Sequence, residues 1–160
     1  MYVYETKHAI AHSAKDMFAL VADIESYPKF LPLCEELMLK RREMRDGEEV
    51  LIAVMAVGYK LFRESFTTEV VLDREAQTIA VSYLDGPFSY LENRWRFIPI
   101  LPERCEVDFY IKYSFRSRLL EHVMGGLFAK AVRKYTAAFE ERADVLYGRT
   151  GALASQQAGE

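Results

Sequence analysis

A chain of 160 residues, 51% hydrophobic and 13% aromatic, has the length of one ordinary domain and enough apolar surface to close one core. Its formal net charge of −3 gives no overall attraction to polyphosphate and argues against DNA as a partner. No stretch reaches the roughly 20 uninterrupted apolar residues of a transmembrane helix. The first residues, MYVYETKHAIAHS, have neither the apolar core of a secretory signal nor the Arg-rich character of a transit peptide. The expected location is therefore the cytoplasm, with peripheral contact at the inner membrane left open.

In chain order, Tyr2, Tyr4, Thr6, His8 and Ile10 alternate with Val3, Glu5, Lys7 and Ala9, the two-residue period of a half-buried strand. Ser13, followed three residues later by Asp16, predicts a helix N-terminus. The helix should carry Met17, Phe18, Leu20, Val21 and Ala22 on its apolar side and end near Asp23. Pro28 and Pro32 forbid a long regular element after it, so a short helical turn opened by Pro28 and closed before Pro32 is expected.

From Leu33 to Phe115 the sequence reads as about six antiparallel strands. The turns between them are expected at Arg45-Asp46-Gly47, Gly58, Asp73-Arg74-Glu75, Asp85-Gly86-Pro87 and Pro99 to Pro102. Leu91, Trp95 and Phe97 alternate with Glu92, Arg94 and Arg96. Val107, Phe109, Ile111, Tyr113 and Phe115 alternate with Glu106, Asp108, Tyr110, Lys112 and Ser114. After Ser117 the period becomes helical, and residues from Leu120 to Leu146 share one broad apolar face over about 30 residues. The tail from Gly148 to Glu160 has little to bury and is expected to be disordered.

The order strand, two short helices, six strands and one long helix predicts an α+β domain over residues 1–147. Its curved antiparallel sheet of about seven strands should wrap the C-terminal helix. Cys34 and Cys105 match no Cys-x-x-Cys spacing and read as small buried hydrophobes.

Three strings carry a resemblance over residues 1–147. They are Val21-Ala-Asp23-Ile-Glu-Ser-Tyr27-Pro28-Lys-Phe30-Leu31-Pro32-Leu-Cys34; Asp85-Gly86-Pro87-Phe88 leading to Leu91 and Trp95-x-Phe97; and Val107-x-Phe109 with Tyr113-x-Phe115. In their order they resemble the START-like superfamily with its helix-grip fold, and within it the coenzyme Q-binding protein family. The resemblance implies a hydrophobic cavity that binds ubiquinone or a related isoprenoid quinone, in support of respiratory electron transport or quinone biosynthesis. The same family includes bacterial ribosome-association toxins, so it also implies a second reading: binding to the large ribosomal subunit.

Aromatic side chains suit a quinone head group because offset stacking on a flat ring is favourable. The candidate ligand contacts on the strands are Phe62, Phe66, Tyr83, Trp95, Phe97, Phe109 and Tyr113. On the final helix they are Met124, Leu127 and Phe128. Tyr27, Phe30 and Leu31, with Leu33, could form a hydrophobic lid or a rigid plug. Gly125-Gly126 costs roughly 1 kcal/mol per glycine in a helix, which suggests either close approach of a ligand or strand, or a helix that starts only there.

Catalysis is weakly indicated, and the expectation is a protein that is not an enzyme. His8 and His12 fall on a strand and a loop, not on one helical face, and His122 lacks a partner at helical spacing, so no metal site is expected. There is no phosphate loop or nucleophile elbow. Glu64 shares strand parity with Phe62 and Phe66 and, with His8 or Asn93, is the polar group that a third reading, a polyketide aromatase or cyclase, would call on. The ribosome reading would use Lys40-Arg41-Arg42 and Arg45 with Arg116 and Arg118 as a basic face.

Overall fold

The computed structural model describes residues 1–148, the side chain of Tyr59 excepted. The expected disordered tail falls almost wholly on residues 149–160, outside those described. The chain runs β1 (Tyr2–Ile10), α1 (Ala14–Ala22), a 3₁₀ turn (Ile24–Lys29), β2 (Cys34–Arg45), β3 (Glu48–Tyr59), β4 (Phe62–Asp73), β5 (Thr78–Asp85), β6 (Phe88–Leu101), β7 (Arg104–Phe115) and α2 (Arg118–Tyr147). The seven strands form one antiparallel sheet in the order β1-β7-β6-β5-β4-β3-β2. This is the expected α+β, START-like arrangement of a sheet with a long C-terminal helix.

Alternation sets which face each strand buries. On β7, Cys105, Val107, Phe109, Ile111, Tyr113 and Phe115 are buried and every residue between them is half-exposed. On β4, Phe66, Thr68, Val70 and Leu72 point inward in the same way. The buried face meets α2 through Met124, Phe128, Ala131, Val132, Phe139 and Ala143. α1 closes one end of the core with Met17, Phe18, Leu20 and Val21. Its first turn is capped as expected, the Ser13 hydroxyl accepting from the Asp16 N–H at 3.0 Å. Both cysteines are free and buried.

Three local expectations are corrected. Pro28 lies near the end of the 3₁₀ turn and does not open it; the turn begins at Ile24, directly after α1, and the short i to i+3 pattern tolerates the ring there. Gly58 is inside β3, and the β3–β4 turn is Lys60-Leu61, with Lys60 at φ 56°. A Cβ at Gly58 would overlap the Glu35 carboxylate, so this glycine serves close packing against β2. α2 is one continuous helix of 30 residues. A Cβ at Gly125 would meet only ordinary contacts, and at Gly126 it would meet nothing within 4 Å. Neither close approach of a strand nor a helix start accounts for the pair.

Candidate functional site: the cavity under the terminal helix

Between the sheet and α2 lies an apolar cavity of about 90 Å³. Its floor comes from β2 to β7, including Leu37, Ala53, Met55, Phe66, Thr68, Val70, Ile79, Leu91, Asn93, Trp95, Phe109 and Ile111. Its roof is Phe128, Tyr135 and Phe139 of α2, and Ile24, Tyr27 and Leu31 close the side. The space exists because large rings cluster while small groups such as Ala53 stand between them. Trp95 lies 4.7 Å from Phe109 and 5.1 Å from Phe139, ring centre to ring centre, and Phe139 is held at 5.3 Å by Tyr27 and 5.2 Å by Phe30. Such edge-to-face pairs fix the rings without filling the centre.

A second apolar chamber of about 190 Å³ opens beside the first. It is walled by Leu33 and Val57, by Phe62, Arg63 and Glu64 at the start of β4, and by Val123, Met124, Leu127 and Phe128 of α2. Phe128 lines both spaces and is the partition between them. It is packed at 4.8 Å from Tyr113 and 5.2 Å from Phe88. Leu33, on the outer wall, has φ 68°, a left-handed backbone that a branched side chain adopts at a cost of about 1–3 kcal/mol.

The residues expected at the site separate into three groups. Tyr27, Leu31, Phe66, Trp95, Phe109 and Phe128 line the inner cavity; Phe62, Met124, Leu127 and again Phe128 line the outer chamber. Phe30, Tyr83, Phe97 and Tyr113 line neither. Phe97 is packed between Phe18 and Trp95, and Tyr113 between Tyr2 and Phe128, so each has a ring neighbour where a ligand was expected. The Tyr83 hydroxyl accepts from the Phe88 N–H at 3.1 Å. Phe30 lies on Phe139 and under the Arg142 guanidinium. Sequence reading missed Thr68, Tyr135 and Phe139 as lining residues. Thr68 shares the parity of Phe66 and Val70, and that was the signal available for it.

The segment from Tyr27 to Leu33 closes the cavity in this conformation. The Tyr27 hydroxyl donates to the Val21 carbonyl, and burial raises its pKa, so it stays a neutral donor. Of the polar groups on the cavity wall, Trp95 Nε1 donates to Asn93 Oδ1 at 3.0 Å and Asn93 Nδ2 donates to the Tyr110 carbonyl at 2.9 Å. Glu64 is on the outer wall, away from the inner cavity, and Arg63 is paired with Glu35 at 2.8 Å. The histidines tie α2 down: His12, 2% exposed, lies 2.7 Å from Asp144 and His8 lies 3.6 Å from Glu140. Among the described residues no group of three His, Cys, Asp or Glu side chains is placed to hold a metal ion. No helix there is long and apolar enough to cross a membrane.

The expected basic face does not assemble. Arg42 pairs with Glu49, and Arg45 pairs with Glu43 and Glu69 at 2.7 Å each, whereas Lys40 and Arg41 are exposed and form no ion pair among the described residues. Arg116, bonded to the Gly86 carbonyl, and Arg118 stand at the start of α2, whereas Arg45 is at the end of β2, about 35 Å of strand from where β2 begins.

Residues 10–140 match the family described as polyketide cyclase / dehydrase and lipid transport. The ribosome association toxin RatA of Escherichia coli (strain K12) is 32% identical over 138 residues, 86% of this chain and 84% of that protein. Relatives of the same name occur in Vibrio cholerae, Rickettsia prowazekii and Pseudomonas aeruginosa. The mitochondrial coenzyme Q-binding protein homolog B of Xenopus laevis is 30% identical over 149 residues, 91% of this chain but 59% of that protein. Among solved structures, a START superfamily protein from Mycobacterium smegmatis superposes with a TM-score of 0.76 at 19% identity, covering 91% of this chain and 99% of the other, a likeness of fold.

Proposed function

We propose that this chain, which belongs to the polyketide cyclase / dehydrase and lipid transport family, is a binding protein that encloses an apolar ligand beneath α2 and acts in association with the large ribosomal subunit. The supporting observation is the near end-to-end match to the bacterial ribosome association toxins, against partial coverage of the quinone-binding relative. No catalytic step enters this reading. The polar groups on the inner wall are few, Trp95 bonds Asn93, Asn93 and Tyr27 bond backbone carbonyls, and Glu64 stands outside it.

The contact with the subunit falls to the solvent side of α2. Lys130, Arg133 and Lys134 are exposed within two turns of one another, and none of them forms an ion pair among the described residues. A local cationic strip of this kind can meet RNA phosphates even though the whole chain is acidic. Sedimentation through a sucrose gradient at low salt tests it. The protein should travel with the large subunit, and Lys130→Glu/Lys134→Glu should leave it at the top of the gradient. A wild-type protein absent from every ribosomal fraction removes the ribosome reading.

Quinone carriage is the second reading, favoured by the ring-lined inner wall of Trp95, Phe109 and Phe139. It meets a constraint of size. A cavity of about 90 Å³ is smaller than the roughly 150 Å³ that accommodates a benzene in an apolar protein interior. A quinone ring therefore needs more room than the empty cavity offers, which turning Phe128 aside to join the two chambers, or lifting the middle of α2, would supply. Solvent extraction of protein purified from a quinone-making host, followed by mass spectrometry, should return a polyprenyl quinone. An extract holding only other lipids rules this reading out while leaving the cavity's role intact.

A further inference from the structure

β1 is an edge strand whose free side no other backbone in the described chain pairs with, and we infer that it is the seam of a symmetric dimer, running antiparallel to β1 of a second copy with Thr6 at the twofold axis. This surface is separate from the cavity, and the inference stands whichever ligand the cavity holds.

The two edges of the sheet are built differently. β2 is broken by bulges between Cys34 and Glu36 and between Leu39 and Arg41, and it carries the cations Lys40, Arg41 and Arg42. Both are devices that keep an edge from pairing with another chain. β1 has neither a bulge nor a proline, and its nine residues pair with β7 in unbroken register from Tyr2 opposite Tyr113 to Ile10 opposite Cys105. It ends the sheet order, and its other side forms no backbone–backbone hydrogen bond among the described residues. Val3, Glu5, Lys7, His8 and Ala9 are all exposed. A regular, uncovered strand is a template for one more strand.

The order of charges on β1 selects a second copy as that strand. With the axis at Thr6, Glu5 lies directly opposite Lys7 of the second copy, and Lys7 opposite its Glu5. The same register sets Val3, 58% exposed, against Ala9 on the outer face, and Tyr4 against His8 on the inner one. Sliding the copies by two residues either way sets Glu5 on Glu5 or Lys7 on Lys7, and a slip of one residue turns the outer row toward the inner face. Charge and parity thus favour one register over its neighbours. In the single chain neither Glu5 nor Lys7 forms an ion pair among the described residues. Lys7 faces Asp108 across the β1–β7 ladder without closing an ion pair, so in the dimer it stands between Asp108 and the Glu5 of the second copy. β1 is also the strand that fastens α2, through Tyr2 to Glu121 and His8 to Glu140, so a second copy on its edge bears on the helix that covers the cavity.

Sedimentation equilibrium of the full chain over about a hundredfold range of concentration reads the assembly. Wild type should pass from 18.5 kDa to twice that mass as concentration rises, and less readily in high salt. Glu5→Lys and Lys7→Glu each set like charges opposite one another, and each should raise the dimer dissociation constant at least about tenfold. The double exchange Glu5→Lys/Lys7→Glu restores opposite signs and should recover the dimer. Mixing the two single variants should do the same, which also shows that each of them is folded. Register is read separately. Thr6→Cys lies on the twofold axis at a separation a disulfide can span, and should link two chains on mild oxidation, whereas Val3→Cys should not. A wild type that stays at 18.5 kDa throughout overturns the inference. A dimer that both single variants leave intact places the seam elsewhere and overturns it too, as does a charge exchange that fails to recover pairing.

Discussion

At the scale of single residues, Phe128 decides whether the interior is two small spaces or one channel. Truncating it to alanine removes the partition and leaves the rings of Tyr113, Phe88 and Phe115 facing a void. Phe128→Ala should lower stability by about 3–5 kcal/mol, read from urea unfolding. The same variant should bind decyl-1,4-benzoquinone faster than wild type in stopped-flow quenching of Trp95. Unchanged uptake would mean that the ligand route lies elsewhere.

The two thiols give a pH dependence of known sign. Burial pushes Cys34 and Cys105 up to about 11 from the ordinary 9.0. The unfolded thiols ionise near 9 while the folded ones stay neutral, so unfolding releases protons between pH 9 and 11 and stability falls as pH rises through that window. Tyr27 and Tyr135, whose pKa values burial also raises, act in the same direction at higher pH. Urea midpoints measured from pH 8 to 11 should fall less steeply for Cys34→Ala/Cys105→Ala than for wild type. Parallel curves would contradict the buried-thiol account.

At this scale the site was only partly legible from sequence. Alternation reveals which side chains point inward, and it correctly turned Phe66, Trp95 and Phe109 toward the helix. It does not reveal where packing stops. Phe97 and Tyr113 have the same parity and similar size, yet each meets a ring and lines no space. Thr68 was passed over because a polar residue within an alternating run reads as a weak core position, although its parity marked it as inward-facing.

Among elements, α2 and the β5–β6 corner make opposite predictions about glycine. Gly125 and Gly126 leave room for a methyl group, so Gly126→Ala should stabilise the helix by about 1 kcal/mol, about 2–4 °C in Tm for a domain of this size. Gly86 stands at φ 141°, where a Cβ would overlap both Phe66 and its backbone. Gly86→Ala should therefore lose at least about 1–3 kcal/mol from backbone strain. Differential scanning calorimetry on the two variants checks both signs, and a destabilised Gly126→Ala would indicate that the empty space beside α2 is occupied by something in solution.

Element order was largely readable because each signal is local. The period changes from two to 3.6 at Ser117, Ser13 caps α1, and Asp46-Gly47, both with positive φ, turns β2 into β3. The errors came from positions whose role is set by a distant neighbour. Gly58 looked like a turn because the reason for it, the Glu35 side chain on β2, is far off in sequence. Arg42 and Arg45 looked free because Glu49 and Glu69, which pair with them, lie on other strands.

Over the whole molecule, α2 is fastened at its ends and merely packed at its middle. Tyr2 bonds Glu121 near its start, and His8 and His12 reach Glu140 and Asp144 near its finish. The stretch between covers the cavity through Phe128, Tyr135 and Phe139, without a side-chain hydrogen bond to the sheet among the described residues. A helix held in that way can lift at the centre to admit a ligand larger than the space it covers when empty, which the inner volume requires for any ring-bearing lipid.

Native mass spectrometry of the intact protein, purified without detergent, tests most directly whether the room under α2 is a ligand site. The account predicts a fraction of molecules heavier than the bare chain by one small apolar compound that organic solvent releases, and a shift of Trp95 emission once it is gone. Only the bare-chain mass, with Trp95 emission indifferent to solvent extraction and to added decyl-1,4-benzoquinone, would contradict it.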